Sequence, residues 1–176
     1  MKKILSMAIA IAMALVAFVV PVSAATSSST QVTAQLYARV EDNGQAIYKV
    51  VLDYKNVKVS DVDKDTYTVH AKATTEGKRP DDETAYGDFD KDRTIVKVET
   101  EGTTVTLYLH ENDGAAGTLS YLATGARNIP SDITYTITQN EPVQVTAMDG
   151  RELNELDPQS VEITCDNTVI DEETKA

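Results

Sequence analysis

Two runs of the same five-residue form, Asp61-Val-Asp-Lys-Asp65 and Asp88-Phe-Asp-Lys-Asp92, hold the densest chemistry in this sequence. Alternating carboxylates can offer several hard oxygen ligands to one Ca²⁺. Behind Asp88, Asp90 and Asp92, Glu99 stands where a twelve-residue calcium loop carries its last ligand. Position six is Arg93, however, instead of the Gly that makes the sharp turn, and Thr94 to Thr100 alternates as a strand that would draw the ligands apart. Acidic residues ahead of a strand also serve plain Asx turns. A calcium-dependent cell-surface or polysaccharide-binding module is therefore the alternative reading, and no metal ligand or cofactor is assigned. The recurrence either marks two similar turn-strand units or follows from an Asp-rich chain.

Nucleophilic chemistry finds no footing. Ser60, Ser120, Ser131 and Ser160 lack the flanking glycines of a Gly-x-Ser-x-Gly elbow. His70 and His110, the two histidines, fall at polar-phase positions of strand patterns and read as solvated strand side chains, not as a base or ligand. Cys165 is in phase with Val161 and Ile163, which turns it inward as a small hydrophobe, and Asp166 beside it opposes thiolate formation. Being the single Cys, it closes no intrachain disulfide. No catalytic residue is assigned, and the chain is not read as an enzyme.

These residues must be carried by strands. From Val32 to Val40 apolar and polar residues alternate strictly, and after Asp42-Asn43-Gly44 the alternation resumes from Ala46 to Tyr54, which predicts a hairpin. Further alternating runs lie at Thr66 to Ala73, Thr94 to Thr100, Thr103 to His110, Ile133 to Gln139, Val143 to Ala147 and Val161 to Cys165, with a weaker one at Thr118 to Leu122. Turn formers separate them: Glu101-Gly102, Asn112-Asp113-Gly114, Asn128-Ile129-Pro130, Asn140-Glu141-Pro142 and Asp149-Gly150. Only Arg151 to Leu156, with Leu153 and Leu156 at spacing three, has a helical pattern. The fold class is all-β, an antiparallel β-sandwich, with a closed barrel as the other all-β solution. Thr74 to Asp92 is the longest irregular stretch, too long for a plain connection.

Lys2 and Lys3, an apolar run from Ile4 to Val20, Pro21 and the small residues Val22-Ser23-Ala24-Ala25 form the three parts of a secretory signal peptide cleaved after Ala24. An uncleaved anchor is the rival, opposed by the Pro and the Ala-x-Ala-like ending. The domains read as 1–24 signal peptide, 25–31 flexible leader, 32–170 sandwich and 171–176 tail or linker. The product is expected outside the cytoplasm, secreted or at the cell surface, with no membrane association after cleavage. Sixteen Lys+Arg against 28 Asp+Glu, a formal net charge of -12, exclude a general nucleic-acid binder, since phosphate affinity needs clustered cations. With no Trp, and Tyr scattered through the strands, the sequence gives little support to sugar binding through exposed aromatics.

The run Asp65-Thr-Tyr-Thr-Val-His70, the stretch Tyr86-Gly-Asp-Phe-Asp-Lys-Asp-Arg-Thr-Ile-Val-Lys-Val98, the strand Val105-Thr-Leu-Tyr-Leu109 and Ile133-Thr-Tyr-Thr-Ile-Thr-Gln139 together resemble the immunoglobulin-like N-terminal domain of secreted bacterial esterases. The resemblance runs from about Val32 to Ile170, with Asp-Arg-Thr-Ile-Val-Lys-Val as its most specific part. It implies an immunoglobulin-like sandwich that precedes an α/β-hydrolase in that family and serves assembly or substrate access. The sequence stops at Ala176, about where the hydrolase would begin, so the resemblance carries over no catalytic residue. The expected role is that of a non-catalytic accessory domain whose partner is a protein, either a hydrolase domain or a second copy, met through a sheet face or an edge strand.

Overall fold

Period-two alternation leaves each strand one apolar face, and the structure buries those faces between two sheets. The computed structural model describes residues 32–42, 44–80 and 83–171; the residues read above as signal peptide, as leader through Gln31 and as tail from Glu172 lie outside the described residues. The strands are β1 (Thr33–Glu41), β2 (Gly44–Asp53), β3 (Val57–Ser60), β4 (Tyr67–Thr74), β5 (Ala85–Tyr86), β6 (Phe89–Arg93) and β7 (Ile95–Glu101). They continue with β8 (Thr104–Leu109), β9 (Leu119–Leu122), β10 (Arg127–Pro130), β11 (Asp132–Gln139), β12 (Gln144–Ala147), β13 (Ser160–Thr164) and β14 (Val169–Ile170). A 3-10 turn at Cys165–Asn167 joins the last two.

One sheet runs β14-β1-β2-β8-β7 and faces a second, β13-β11-β4-β6, so the described chain is a sandwich and not a closed barrel. Neighbouring strands pair antiparallel except β14, which lies parallel to β1. Leu36, Val50, Leu52 and Leu107 from the first sheet meet Val69, Ala71, Tyr135 and Ile137 from the second in one core. The chain crosses between sheets in short steps, at Thr94 between β6 and β7 and at the 3-10 turn between β13 and β14. A two-stranded ribbon of β3 and β12 contributes Val57, Val59 and Val145 to the same core. A separate small sheet, β10-β9-β5, is attached beside the β1–β2 turn through the bridge Ala46–Gly117 and the bond from Thr118 N–H to Gln45 O. Among the described residues no helix is long and apolar enough to cross a membrane.

Several local expectations are corrected. Arg151 to Leu156 is not helical: it runs extended beside β12, with bridges Thr146–Glu152 and Val143–Leu156, because its backbone groups are taken by that strand. Asn128-Ile129-Pro130 is strand β10, not a turn, and Pro130 is tolerated at the end of an edge strand where no ladder N–H is needed. The irregular stretch from Thr74 contains β5 and β6. The two acidic runs differ in kind. The first is a turn in which Asp63 Oδ1 accepts the N–H groups of Asp65 and Thr66, whereas the second is mostly strand β6.

One polar group sits where the sheets meet. Arg93, fully buried as a side chain, donates from Nε to Asp113 Oδ2 at 2.7 Å and from Nη1 to Tyr135 Oη at 2.6 Å. Its Nη2 donates to the carbonyls of Ile47 at 3.2 Å and His110 at 3.0 Å. β6, β11, β2 and the loop after β8 are thereby tied to one guanidinium whose planar fork of donors matches four acceptors. Burial pushes the Asp113 carboxyl up, but Arg93 and the N–H groups of Thr94 and Ala115 outweigh it and hold it below the usual carboxylate range. A carboxyl depressed in the folded state contributes stability that is complete above its unfolded pKa of about 3.9 and is lost as pH falls through its folded value. Asp113→Asn is expected to lower stability at pH 7 by about 3 kcal/mol, since it leaves Arg93 buried without a counter-charge. Urea melts at pH 7 and pH 3 check this, the variant losing less than the parent between the two.

Candidate functional site

The small sheet has two unlike faces. Ser120 and Leu122 of β9 point inward and are fully buried, while Leu119 and Tyr121 point out. Tyr86 of β5 is the register partner of Tyr121, and Asn128 of β10 is its partner on the other side, so these three side chains share the outer face. Leu119 and Pro130, also in register, extend it. Tyr86 and Tyr121 are 62% and 44% exposed. None of the five outer residues is charged, in a chain of which 25% is.

What holds this sheet is a set of polar contacts beneath it. Gly87, with φ of 136°, lets the chain pass so close that a Cβ would lie 2.9 Å from Leu119 O and Ser120 Cα, so only glycine fits. Asp88 then turns inward and accepts from Ser120 Oγ at 2.8 Å, from Thr75 N–H at 3.2 Å and from Thr75 Oγ1 at 3.0 Å, with Arg79 Nη1 at 3.6 Å. Ser120 Oγ is also 2.9 Å from Ser131 Oγ. Burial raises the Asp88 carboxyl, but these donors outweigh it and keep it below its ordinary range. Ser120 thus sits beside a carboxylate with no imidazole among its partners, an arrangement that fixes a loop and lacks the base a nucleophile requires. Arg127 Nη2 reaches buried Glu83 at 3.1 Å and Arg127 Nη1 bonds Thr124 O, closing the β9–β10 turn.

The calcium candidates do not converge on a point. Asp88 serves the small sheet, whereas Asp90 and Asp92 project from the outer side of β6 and hold His70 of β4 from its two ends, Nε2 to Asp90 at 2.9 Å and Nδ1 to Asp92 at 2.8 Å. Glu99 lies on β7, where it pairs with Lys97 and accepts from Tyr108 Oη. Among the described residues no three His, Cys, Asp or Glu side chains are grouped as a metal would require. His70 is half-exposed on the polar face of β4 and held by both carboxylates; His110 is exposed and its Nδ1 accepts the Asn112 N–H. Cys165 is half-buried against the core, and burial pushes its thiol up to about 11, which leaves it a poor nucleophile at neutral pH.

Two outer strands carry charge along their length. β6 presents Asp90, Lys91 and Asp92, and β7 presents Lys97, Glu99 and Glu101, a pattern that discourages another chain from pairing there. At the far edge the chain leaves along β14. Asp171 N–H bonds Ala38 O, and the Asp171 carboxylate accepts from Tyr48 Oη at 2.5 Å and from Lys49 Nζ at 3.3 Å. Tyr48 is the extra residue of a β-bulge, since Tyr37 pairs with Lys49 and Ala38 with Ile47, and the bulge is what aims it at Asp171.

Two facing sheets, a short chain crossing at each side and no α-helix among the described residues define an immunoglobulin-like sandwich without the disulfide of antibody domains. The sequence profile of the esterase Ig-like N-terminal domain matches residues 33–154, and the chain belongs to that family. The match ends short of the 32–170 span that the resemblance covered. The crystal structure of a thermostable esterase superposes with a TM-score of 0.55 at 21% identity, over 79% of this chain and 35% of that one. At this identity the likeness is one of fold, and the present chain spans about a third of the esterase's length. No curated protein matches the sequence.

Sequence reasoning had no means of assembling the face on β5, β9 and β10. Tyr86 and Tyr121 lie far apart in the chain, and the pairing that joins them depends on Asp88 and Ser120, whose partnership no local pattern announces. Tyr86-Gly-Asp was the usable signal, a turn-capable glycine beside an acid.

Asp92 and Asp90 raise the pKa of His70 against a smaller opposing effect of burial. A histidine raised in the folded state contributes stability that is complete below its unfolded pKa of about 6.5 and is lost as pH rises through its folded value. Thermal melts are expected to show a small loss, under about 1 kcal/mol because the ring is exposed and screened, as pH rises from about 6 to 8. His70→Gln abolishes that slope.

Proposed function

We propose that the protein is an exported, non-catalytic accessory domain that works by associating with a protein partner, an ester hydrolase domain. Membership of the esterase Ig-like N-terminal domain family carries this reading. The hydrogen bonding and packing support it: three of the reactive side chains considered from the sequence are spent on structure, Ser120 on Asp88, His70 on Asp90 and Asp92, and Cys165 on the core. So does the fixed exit of the chain. With Asp171 bound to Tyr48, Lys49 and the β1 backbone, whatever follows or docks there meets β14 in one orientation. β14 runs parallel to β1 toward the Glu41–Gly44 end, and Val40, Val169 and Ile170 are exposed apolar residues along that path. Export follows from the signal peptide read at 1–24.

The test is to purify the protein and assay p-nitrophenyl acetate hydrolysis, alone and after addition of the separately expressed hydrolase portion of a similar esterase. The protein alone is expected to give no rate above buffer and, in the mixture, to raise the hydrolase's thermal midpoint. Turnover by the protein alone that a serine-directed inhibitor abolishes would overturn the reading, as would a mixture whose components melt independently.

A further inference from the structure

Six of the eight tyrosines are engaged. Tyr48 bonds Asp171, Tyr54 and Tyr67 bond each other, Tyr108 bonds Glu99, Tyr135 accepts from Arg93, and the ring of Tyr37 is covered by Lys49 Nζ at 4.4 Å. Lys97 also lies over Tyr108, at 5.2 Å. The exceptions are Tyr86 and Tyr121. Among the described residues neither hydroxyl has a hydrogen-bond partner and neither ring has a cation over it, although the two sit side by side as cross-strand partners on the outer face of β5-β9-β10. Beside them stands Asn128, exposed, in register with Tyr121, and with an amide that bonds nothing among the described residues.

We propose that this face is a binding platform for a neutral polysaccharide, with Tyr86 and Tyr121 stacking against the C–H faces of adjacent sugar rings and Asn128 hydrogen-bonding a hydroxyl. Three observations fix the class of ligand. The whole chain, at -12, repels an anionic polymer at long range, and the five platform residues offer no charge to pair with a cationic one, which suits a neutral polymer. The surface is small: at 62% and 44% exposure the two rings offer roughly 200 Å² together, well under the ~800 Å² that each side of a stable protein interface buries. Cross-strand partners stand with Cβ atoms about 5 Å apart, about the width of one sugar ring, and the register puts both phenols on the same face. The support beneath is rigid: Gly87 allows the two strands to touch, and Asp88 with Ser120 and Thr75 locks β9 to β4's end, so little ordering remains to oppose binding. The inference is independent of the accessory role, because the platform and the β14 exit are built from different residues.

Native affinity electrophoresis tests it. The protein is run in gels cast with hydroxyethyl cellulose, xyloglucan, xylan or galactomannan, and with alginate as an anionic comparison. At least one neutral polymer is expected to retard it and alginate is not. Tyr86→Ala and Tyr121→Ala should each weaken retardation about tenfold with unchanged thermal midpoints, while Tyr86→Phe, which keeps the stacking ring, stays within about twofold of the parent. Migration unaffected by every neutral polymer would overturn the proposal. So would alanine variants retarded like the parent, or alanine variants whose only effect is to dissolve an oligomer seen by light scattering, which would assign the face to protein contact.

Discussion

A single buried guanidinium bridges the two sheets across their shared apolar core. Arg93 is the last residue of β6, the outer strand of one sheet, and its side chain crosses the interior to bind Tyr135 of the same sheet, the Ile47 carbonyl of the other and the loop that holds Asp113. A buried cation is costly unless every donor is matched, and here Nε, Nη1 and Nη2 all have acceptors and the counter-charge is itself bonded by Thr94 and Ala115. In antibody domains a disulfide joins the sheets; with one cysteine, this chain adds the Arg93 hydrogen bonds and the Tyr54–Tyr67 contact to the apolar core that joins them. Because Arg93 stands immediately before the Thr94 corner, the same interaction sets where β6 ends and β7 begins.

From that corner the distribution of charge and apolar surface follows. β6 and β7 are the outer strands on this side and are lined with Asp, Lys and Glu, many of them paired in the sheet plane, as Asp90 with Lys72 and Lys97 with Glu99. On the opposite side the apolar residues Val169 and Ile170 are left exposed and the chain is pinned at Asp171. The small sheet, attached at the β1–β2 turn, is the third distinct surface, and it is the one that carries aromatic rings with nothing to hold. The proposed sites of association and the scaffold that positions them are thus built from different parts of the molecule.

The long strands were legible because their apolar faces are buried on one side only, which imprints the period of two on Thr33–Glu41, Tyr67–Thr74, Thr104–Leu109 and Asp132–Gln139. β6 was not, because Phe89-Asp-Lys-Asp-Arg93 faces solvent at the edge and its one buried side chain is the charged Arg93. β5 and β14 are two residues long and have no periodicity to read. The helical spacing of Leu153 and Leu156 misled because only Leu156 packs on the core while Leu153 faces out, and tertiary pairing with β12 decided the conformation. At the candidate site the chemistry of Asp88 was visible as an acid in an acidic run, yet its partners are distant in the chain, Thr75 just past the end of β4 and Ser120 on β9. A sequence pattern reports neighbours along the chain, and this site is made of neighbours across it.

The central claim is that Arg93 and its acceptors act as one unit joining the sheets, and a double-mutant cycle measures it directly. Urea unfolding of the parent, Arg93→Met, Asp113→Asn and the double variant gives the coupling energy between the guanidinium on β6 and the carboxylate in the loop that leaves β8 of the other sheet. A unit of this kind predicts non-additivity of about 1 kcal/mol or more, the double variant losing less than the sum of the single ones. Additive losses within about 0.3 kcal/mol would contradict it.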